Sequence, residues 1–527
     1  MRAWLAHSLR RFYPASPAEE NPYLVLEAAR GERLSFQAAC RTGLVDRFHQ
    51  SVEVEAQGPE GLTVTVRQVG FVPLPHLNTD IPPQDRDPGL AGPGYVPDPL
   101  WPTKRVRVGP LETHAFWITV AVSRDIVPGV HPVRLAIRHG DETARLEASL
   151  VVHRAQLPRR TDFPVTHWFY VDRFCARYGV EPFEPGFWTR LTPFLADMSA
   201  HGQDTIHVPL WTPPLSTTDA PAQLLHVTVA EGRLSLDWEL ARRWVRSARE
   251  QGLTRFEWPH LFRQWGAFRG ADFVVGHGRG QGPLWPGGVD ATSVTYRGFL
   301  AQLLPAFERF LREEHLLERS VFHLSDEPDG NLTSYRAARR LVADLAPWME
   351  ITEALADSRF RDEGLIDTPV VRIDQTDAFA AADRHPWAYY CCWPRGRHLN
   401  RLLDTPLPKI RMSGWLFYAL GARGFLHWGY NYWLPAADPS LPPADGGRWP
   451  EWPYGDAFVV YPGPDGPVDS LRWEVFAESL QDYALLQAAG WTPAGGELQA
   501  IQDYARFPRD PEWIASRRAR LLRESDG

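Results

Sequence analysis

Apolar and polar residues alternate in twos over most of the first 155 residues, which is the pattern of strands with one buried face. Val52 and Val54 start one such run, and residues 62–66 and 133–137 continue the alternation. The turn sequence HGDE at 139–142 separates two alternating runs and predicts a hairpin. Because no long helical period interrupts these strands, we predict an N-terminal β-sandwich, with the Pro-rich segment 81–102 as a surface loop.

The pattern changes at RAQLPRRTDFP (154–164), beyond which short apolar runs alternate with helical periods. We therefore predict two domains, a β-sandwich over 1–157 and a second domain over 158–527 that ends in a helical segment. The candidate strands of the second domain are FPVTHWFYV from residue 163, TIHVPLW from 205, RFEWPHLF from 255, SVFHLSDEP from 320, MEITEALA from 349, VVRID from 370, WAYYCCWP from 387 and GFLHWGYNYW from 424. These eight strands predict a (β/α)8 TIM barrel, with an open doubly wound sheet as the alternative.

Two helices of the second domain have recognisable ends. Apolar residues at helical spacing over 187–198 are followed by Gly202, which fits the left-handed residue that often follows a helix. A second helical stripe over 473–483 follows Ser470, a good N-terminal cap.

Composition excludes several classes of function. The net charge of −8, with Lys and Arg scattered along the chain, argues against a nucleic-acid partner. No stretch has the roughly 18 apolar residues of a membrane span, and the N-terminus does not read as a signal peptide, so we expect a cytoplasmic protein. The cysteines form no CxxC pair, the histidines no HExxH motif, and GHGRGQG (276–282) is not a GxGxxG loop. We therefore expect neither a metal nor a cofactor.

Carboxylates cluster where the predicted barrel strands end. Asp326 and Glu327 close the fourth candidate strand, and Glu257, Glu353 and Asp374 fall at corresponding positions on three neighbours. In a (β/α)8 barrel the reacting groups lie at these carboxyl ends. Taken separately, DEP is also compatible with a solvated turn, and each of the other acids with a hydrogen-bonded residue of the barrel interior.

Crowded carboxylates indicate glycosidase chemistry, because neighbouring acids raise each other's pKa and one of them can then act as a general acid. Glycosidases that use two carboxylates hold them roughly 5 to 10 Å apart, across the sugar. The adjacent pair Asp326 and Glu327 fits better the scheme in which the substrate's own 2-acetamido oxygen attacks the anomeric carbon.

Several motifs of the chain resemble the catalytic domain of glycoside hydrolase family 123 and its relatives. They are DFPVTHWFYVDRF (162–174), HGQDTIHVPLWTPPL (201–215), WPHLFRQWGAF (258–268), HLSDEP (323–328), YYCCWPRGRHLNRLL (389–403), RGFLHWGYNYW (423–433) and the segment 455–483. ARGERLSFQAA (29–39) resembles the N-terminal sandwich of that family. The resemblance implies a β-sandwich followed by a (β/α)8 barrel, and retaining β-N-acetylgalactosaminidase activity. It further implies that Glu327 is the acid/base and that Asp326 orients the acetamido group.

The expected partner is a carbohydrate, either an oligosaccharide or a glycoconjugate. The candidate substrate-binding residues, chosen because they lie near strand ends, are His167, Glu257, His260, Trp265, Glu353, Tyr390, Trp428, Tyr430, Asn431 and Trp433. Trp265, Trp428 and at least one of Tyr390 and Tyr430 are expected close to Glu327, with either tyrosine a candidate for the acetamido carbonyl. Each tryptophan is equally compatible with core packing, and His260 and Asn431 with supporting hydrogen bonds.

Two other functions stay open at this point. A two-carboxylate glycosidase acting on a sugar without a 2-acetamido group would use Glu257, Glu353 or Asp374 opposite Glu327. A catalytically silent carbohydrate-binding protein would keep the aromatic residues without needing Glu327 as an acid.

Overall fold

The computed structural model of the chain describes residues 1–44, 50–213, 215, 222–276, 282–379, 386–434, 449–493 and 495–525. Most of the GHGRGQG segment therefore lies outside the described residues. By contacts between residues the chain divides into two compact units, and each is described separately. The first contains Met1–Thr161, Cys392–Gly421 and Ala436–Gly527, and the second contains Asp162–Cys391 and Ala422–Pro435. In the part of the chain that is described, no helix has the length and apolar character needed to cross a membrane.

The N-terminal part of the first unit is built from strands. They are β1 (Arg2–His7), β2 (Tyr23–Arg30), β3 (Arg33–Arg41), β4 (Gln50–Gln57), β5 (Leu62–Leu74), β6 (Gly94–Trp101), β7 (Arg105–Val108), β8 (Thr113–Val122), β9 (Gly129–His139) and β10 (Glu142–Gln156). Two five-stranded sheets result, in the orders β1-β3-β8-β5-β6 and β2-β10-β9-β4-β7. The hairpin predicted at HGDE is the antiparallel pair β9 and β10.

The two sheets share one hydrophobic core. Phe36, Phe116 and Ile118 from the first sheet and Val54 and Ile137 from the second are fully buried in the same cluster. The strands other than β6 supply apolar side chains to this cluster, in most of them at every second position, as the alternating sequence predicts. The N-terminal region is therefore β-rich, with its core between the sheets.

The Pro-rich segment 81–102 is only partly the loop that its composition predicts. Gly94–Trp101 form β6, the last strand of its sheet, and residues 96–100 are buried. An edge strand needs only one side of its backbone for pairing, so it tolerates proline. The composition signal therefore gave the wrong answer for this strand.

The described residues of the second unit form twelve strands and six α-helices. Its strands are β11 (Val165–His167), β12 (Thr205–His207), β13 (His226–Ala230), β14 (Arg233–Asp237), β15 (Arg255–Glu257), β16 (Val274–Val275), β17 (Gly282–Pro283), β18 (Ser320–Val321), β19 (Thr352–Leu355), β20 (Thr368–Arg372), β21 (Trp387–Tyr389) and β22 (Phe425–His427). Its helices are α1 (Val171–Tyr178), α2 (Pro185–Ala200), α3 (Glu239–Glu250), α4 (Val294–Glu313), α5 (Leu332–Leu345) and α6 (Arg359–Asp362).

Eight of these strands form one parallel sheet in the order β18-β15-β12-β11-β22-β21-β20-β19. A single parallel bridge between Phe322 and Ile351 joins the two ends of this order, so the barrel is nearly closed. Seven of the strands lie within predicted runs, β20 begins at Thr368, two residues before its predicted run, and the open doubly wound sheet is excluded. The helices around the barrel are few, and the β20–β21 connection contains a short 3-10 turn at Thr376–Phe379 among its described residues.

The fourth barrel strand ends earlier than expected. β18 stops at Val321 and pairing ends with the Phe322 bridge, whereas the sequence predicts a strand that continues to Asp326 and Glu327. The apolar residues after Val321 are buried by packing and do not continue the ladder. Asp326 and Glu327 therefore lie on a loop that follows the strand.

The helix ends agree with the sequence. Helix α2 finishes at Ala200, and Gly202 adopts a φ of +85° while its N–H donates to the Ser199 carbonyl. The N–H of Gln203 donates to the Met198 carbonyl, which completes the common glycine-terminated helix end.

The remaining elements belong to the first unit. They are α7 (Leu407–Arg411), α8 (Ser413–Ala419), β23 (Val460–Pro462), β24 (Pro467–Asp469), α9 (Leu471–Ala489) and α10 (Pro511–Glu524). Ser470 caps α9 as predicted, since its hydroxyl accepts the N–H of Trp473.

This grouping differs from the two sequence-based domains, which put the C-terminal segment with the barrel. Arg518 on α10 donates to the backbone carbonyl of Glu27 and pairs with the Glu32 carboxylate, so its contacts are with the N-terminal strands. The domain boundary near residue 157 stays a prediction.

Candidate active site

The loop after β18 is paired with the segment after β15 by backbone hydrogen bonds that continue beyond the ladder. Four backbone N–H groups of the β15 segment donate to four carbonyls of β18 and the loop after it. They run from Trp258 to Val321 (2.9 Å), from Leu261 to His323 (3.3 Å), from Phe262 to Leu324 (2.9 Å) and from Trp265 to Asp326 (2.8 Å). The backbone at Asp326 is thereby fixed to the backbone at Trp265.

Side chains hold the same loop from two directions. The Ser325 hydroxyl donates to the Arg263 carbonyl (2.8 Å) and accepts the N–H of Ala267 (3.0 Å). From β19, one carboxylate oxygen of Glu353 accepts the N–H groups of Leu324 (2.9 Å) and Ser325 (2.7 Å). Buried bonds of this kind restrict the two residues directly before Asp326 and so hold the backbone from which its side chain extends.

Glu327 has an unusual backbone, with a φ of +44°. A residue with a side chain rarely adopts this left-handed conformation, which costs on the order of 1 to 3 kcal/mol and tends to occur at functional sites. Neighbouring side chains point to opposite faces only while the strand continues, and here the strand has ended at Val321. The alternation of a strand therefore does not separate Asp326 from Glu327.

Both carboxyl groups of the pair, which are partly buried, bind protons more strongly than usual. Burial raises the pKa of Asp326 well above its ordinary value, and the Glu327 and Glu353 carboxylates raise it further. Burial also raises the pKa of Glu327, although a hydrogen bond from the Tyr389 hydroxyl (3.2 Å) opposes the shift. Both groups therefore stay protonated to a higher pH than ordinary carboxyls.

A buried network of charged side chains lies in the same barrel end. Glu257 accepts the hydroxyl of Thr166 (2.5 Å), the indole N–H of Trp168 (2.7 Å) and Nε2 of His323 (2.8 Å). Nδ1 of His323 faces an oxygen of Glu353 at 3.6 Å. These two glutamates raise the pKa of His323 to about 10 although burial lowers it.

Glu257 and Glu353 are 0% exposed, in contrast to Asp326 and Glu327. Burial raises the pKa of Glu257, but the hydrogen bonds from His323 and Thr166 and the charges of the nearby histidines together lower it, and the net shift is downward. The sequence left open whether these two acids are hydrogen-bonded residues of the barrel interior or ligands of the substrate. Their burial and hydrogen bonds place both in the barrel interior.

Two further buried histidines, His260 and His207, lie near His323 in the same barrel end. The ring centroids of His260 and His323 lie 4.6 Å apart, and His207 packs on Trp168 with centroids 5.3 Å apart. Burial lowers the pKa of His260 well below its usual range and that of His207 to about 4, so both are neutral. His260, His323 and Glu353 offer three ligand atoms within 4.8 Å of one another, a set able to hold a metal ion.

Tyr170 forms an aromatic wall on the β11 side of the site. Its hydroxyl has no hydrogen-bond partner among the described residues, and its pKa is raised by burial and then by the nearby Tyr432 and Asp326 groups. Asn431 fixes its backbone through bonds to the N–H (2.8 Å) and the carbonyl (3.2 Å). Trp428 packs edge-on against the Tyr170 ring at 6.3 Å. Asn431 and Trp428 thus act by positioning Tyr170.

A cavity of about 280 Å³ opens next to Trp265. Its lining includes His260 and Leu215. It also includes an ion pair in which Arg263 donates two hydrogen bonds to the Asp272 carboxylate (2.6 and 2.9 Å). The Trp265 side chain is 56% exposed, which is unusual for an indole and typical of a binding surface.

Other predicted site residues are engaged elsewhere. Nδ1 of His167 lies 3.1 Å from the Gln203 side-chain oxygen, and the Tyr390 ring packs against Phe425 at 5.1 Å. The Tyr430 hydroxyl donates to Asp197 on α2 (2.6 Å). Trp433 packs against Tyr178 of α1 and Phe194 of α2, and Asp374 forms an ion pair with Arg372.

Sequence reasoning missed four residues of this site. Tyr389, not its neighbour Tyr390, donates to Glu327, and the alternation within β21 could have separated the two. His323 stands three residues before Asp326 and was not singled out, nor were Trp168 and Tyr170 at the end of β11. The signal for all four was their place at the end of a barrel strand.

The chain is similar to known proteins in sequence and in fold. The model of the glycoside hydrolase 123 catalytic domain matches residues 168–489. A search of curated proteins found no significant match.

Among solved structures, a family 123 glycoside hydrolase from Clostridium perfringens, described for its hydrolysis of glycolipid glycans, is 12% identical. It has a TM-score of 0.77, with 99% of this chain and 98% of that chain covered. This likeness shows the fold.

Two further solved structures are less similar to this chain. A cyclomaltodextrinase is 10% identical at a TM-score of 0.34, with 91% and 84% of the two chains covered. A Parabacteroides merdae β-glucuronidase is 10% identical at a TM-score of 0.31, with 85% and 50% of the two chains covered. Because the family model spans more than half of the sequence, the chain belongs to glycoside hydrolase family 123 and is a glycosidase.

Proposed function

We propose that this glycosidase is a retaining, exo-acting β-N-acetylgalactosaminidase-like enzyme that uses the 2-acetamido group of its substrate as the nucleophile. Glu327 is the general acid and base, and Asp326 orients the acetamido group. One observation carries the proposal: Asp326 and Glu327, which are adjacent on the loop after β18, are both partly exposed and both have a raised pKa. We assign the unit that carries these two carboxyl groups to the (β/α)8 class.

The buried glutamates support this mechanism over one with a protein nucleophile. Glu257 accepts three hydrogen bonds and Glu353 accepts bonds from the backbone and from Tyr335 (3.2 Å), and both are 0% exposed. A nucleophile has to reach the anomeric carbon directly. Since Asp374 is paired with Arg372, none of the three acids considered as a partner for Glu327 has a free approach to the sugar.

The reaction then has two steps. In the first, the acetamido oxygen bonds to the anomeric carbon while protonated Glu327 gives its proton to the departing oxygen. Asp326 accepts the acetamido N–H and stabilises the positive charge of the cyclic oxazolinium intermediate. In the second, ionised Glu327 takes a proton from water, which attacks the anomeric carbon and reopens the ring with net retention.

Tyr170 is the best candidate to hold the acetamido carbonyl. Its buried hydroxyl has no partner among the described residues and lies near Asp326, and its raised pKa keeps it a neutral donor. The Tyr430 hydroxyl is already bonded to Asp197, which argues against that alternative.

The substrate is proposed to be an oligosaccharide or a glycoconjugate, with glycolipid glycans included because the Clostridium perfringens relative is described for them. The exposed indole of Trp265 supplies a flat apolar surface beside Asp326. Such surfaces pack against the C–H face of a sugar ring.

A matched set of nitrophenyl β-glycosides tests the proposal. The set contains N-acetylgalactosamine, its 4-epimer N-acetylglucosamine, and galactose, all with the same leaving group. We expect hydrolysis of the galacto-configured acetamido sugar to exceed that of galactose by orders of magnitude, since galactose has no nucleophile to offer. Equal rates on both would reject substrate assistance and require a protein nucleophile. Binding of the sugar without any turnover would identify a silent carbohydrate-binding protein.

Tyr389→Phe tests the role of Glu327 through pH. The Tyr389 hydrogen bond stabilises the ionised carboxylate and lowers the pKa of Glu327, so its removal raises that pKa. The first step needs protonated Glu327, and activity is lost as the pH rises through this pKa. The alkaline limb of kcat/KM is therefore expected to move to higher pH in the variant.

Tyr390→Phe is the matched control, because Tyr390 packs against Phe425 and His427 and is not the tyrosine that donates to Glu327. Its alkaline limb should coincide with that of the wild type. An unshifted limb in Tyr389→Phe would mean that another group sets the alkaline pKa.

A further inference from the structure

We propose that His260, His323 and Glu353 bind one divalent transition-metal ion, for which Zn²⁺ is the best match, and that this ion ties together the two ends of the barrel sheet. His260 also lines the cavity beside Trp265, but the proposed coordination does not depend on which sugar binds there. Its evidence is the convergence of three buried ligand atoms, the groups that hold them, and their place in the barrel.

The ligand atoms are placed as a metal ion requires. One oxygen of Glu353 lies 3.6 Å from Nε2 of His260 and 3.6 Å from Nδ1 of His323, and all three atoms lie within 4.8 Å of one another. Two ligands on a tetrahedral zinc ion, each bound at about 2.0 to 2.1 Å, are about 3.4 Å apart. The separations are too long for hydrogen bonds and close to those of shared coordination.

The same atoms lack hydrogen-bond partners. Nε2 of His260, Nδ1 of His323 and Oε1 of Glu353 are buried and make no hydrogen bond within the described residues. The three residues are 3%, 1% and 0% exposed. Leaving three facing polar atoms unpaired in the interior is costly, and a cation between them would satisfy all three at once.

Two of the three ligands, His323 and Glu353, are held from behind by hydrogen bonds. His323 bonds through Nε2 to the Glu257 carboxylate at 2.8 Å, which leaves Nδ1 as the atom for the metal. The second oxygen of Glu353 is held by the Leu324 and Ser325 N–H groups and by the Tyr335 hydroxyl. Metal-binding histidines and carboxylates are commonly fixed by partners of this kind.

The site lies where the barrel sheet is least continuous. His260 follows β15, His323 follows β18 and Glu353 is on β19. Strands β18 and β19 are the two ends of the sheet order, and the Phe322–Ile351 bridge alone pairs this edge in the described part of the chain. An ion coordinated from both edges would close the barrel where the backbone does so only once.

The competing occupant of this position is a proton. Without a metal, His323 carries a proton on Nδ1 and sits as an imidazolium between Glu257 and Glu353. The two states differ by exchange of that proton for the metal ion, so metal binding releases a proton. Either occupant places positive charge near Asp326, and measurement of bound metal distinguishes them.

The experiment measures metal binding by the full-length chain. The protein is purified without a metal-affinity tag, stripped with a chelator, supplied with Zn²⁺ and passed through gel filtration before elemental analysis. We expect about one zinc ion per chain. Replacement by Co²⁺ should give the strong visible absorption of a four-coordinate site, and chelation should lower the melting temperature by a few degrees, with recovery on readdition.

His260→Ala and Glu353→Gln should lose the zinc ion and the response of the melting temperature. His207→Ala is the matched control, since His207 is equally buried in the same barrel end and is absent from the ligand set, and it should retain the ion. If the wild type retains no zinc and shows no cobalt spectrum, the proposal is wrong and His323 is the imidazolium. Because these measurements are made on the wild type, they decide the matter even if a variant fails to fold.

Discussion

Glu327→Gln is expected to slow hydrolysis of a natural disaccharide by about 10²- to 10⁴-fold, or roughly 3 to 5 kcal/mol in the activation barrier. The amide cannot protonate the departing sugar oxygen, which is a poor leaving group. Nitrophenolate leaves without much protonation, so the same variant should lose far less on nitrophenyl glycosides. The dependence on leaving group is the diagnostic result, and kcat/KM on the two substrate types measures it.

Glu363→Gln is the control for this experiment. Glu363 is a partly exposed carboxylate of the same unit that pairs with Arg336, and its substitution should leave both rates unchanged. Equal losses of Glu327→Gln on the disaccharide and on the activated glycoside would assign Glu327 a role other than proton donation.

Asp326→Asn is expected to impair natural and activated substrates alike, by about 10²- to 10³-fold, as for other removals of a preorganised charge-stabilising group. Every substrate has to pass through closure of the oxazoline ring, so a better leaving group brings no relief. A thiazoline analogue of that intermediate should accordingly bind the wild type much more tightly than Asp326→Asn. Titration calorimetry with the analogue measures this difference directly.

The pH dependence gives a second test of Asp326. Burial and the nearby carboxylates raise its pKa, and the ionised form is the one that accepts the acetamido N–H. Affinity for the thiazoline should therefore fall as the pH drops through this raised pKa in the wild type, and this change should be absent in Asp326→Asn. An unchanged thiazoline affinity in the variant would contradict the orienting role.

The barrel could be predicted from the sequence because each of its strands is a short apolar run followed by a change of period. The ends of helices were equally readable, as Gly202 and the Ser470 cap show. In both cases the information is local, since burial and capping depend on residues within one turn or strand. Asp326 and Glu327 were found for the same reason, by their position after such a run.

The parts that sequence could not supply depend on distant contacts. Strand β18 ends at Val321, and where its pairing ends depends on the course of the neighbouring strands. Strand β6 forms because an edge position in a sheet tolerates its prolines. That Tyr389 bonds Glu327 depends on the register of β21 against its neighbours. The buried network around His323 brings together strands that are far apart in the sequence, and no local pattern marks it.

The shared backbone bonds between the β15 segment and the β18 loop have a consequence for how such an enzyme can evolve. The N–H of Trp265 donates to the carbonyl of Asp326. The indole surface that would recognise a sugar and the carboxylate that would orient its acetamido group are therefore on rigidly linked backbone segments. A substitution that reshapes the Trp265 segment for a new glycan also displaces Asp326. In this architecture a substitution that changes substrate specificity also changes the rate of turnover, so selection for one property acts on the other.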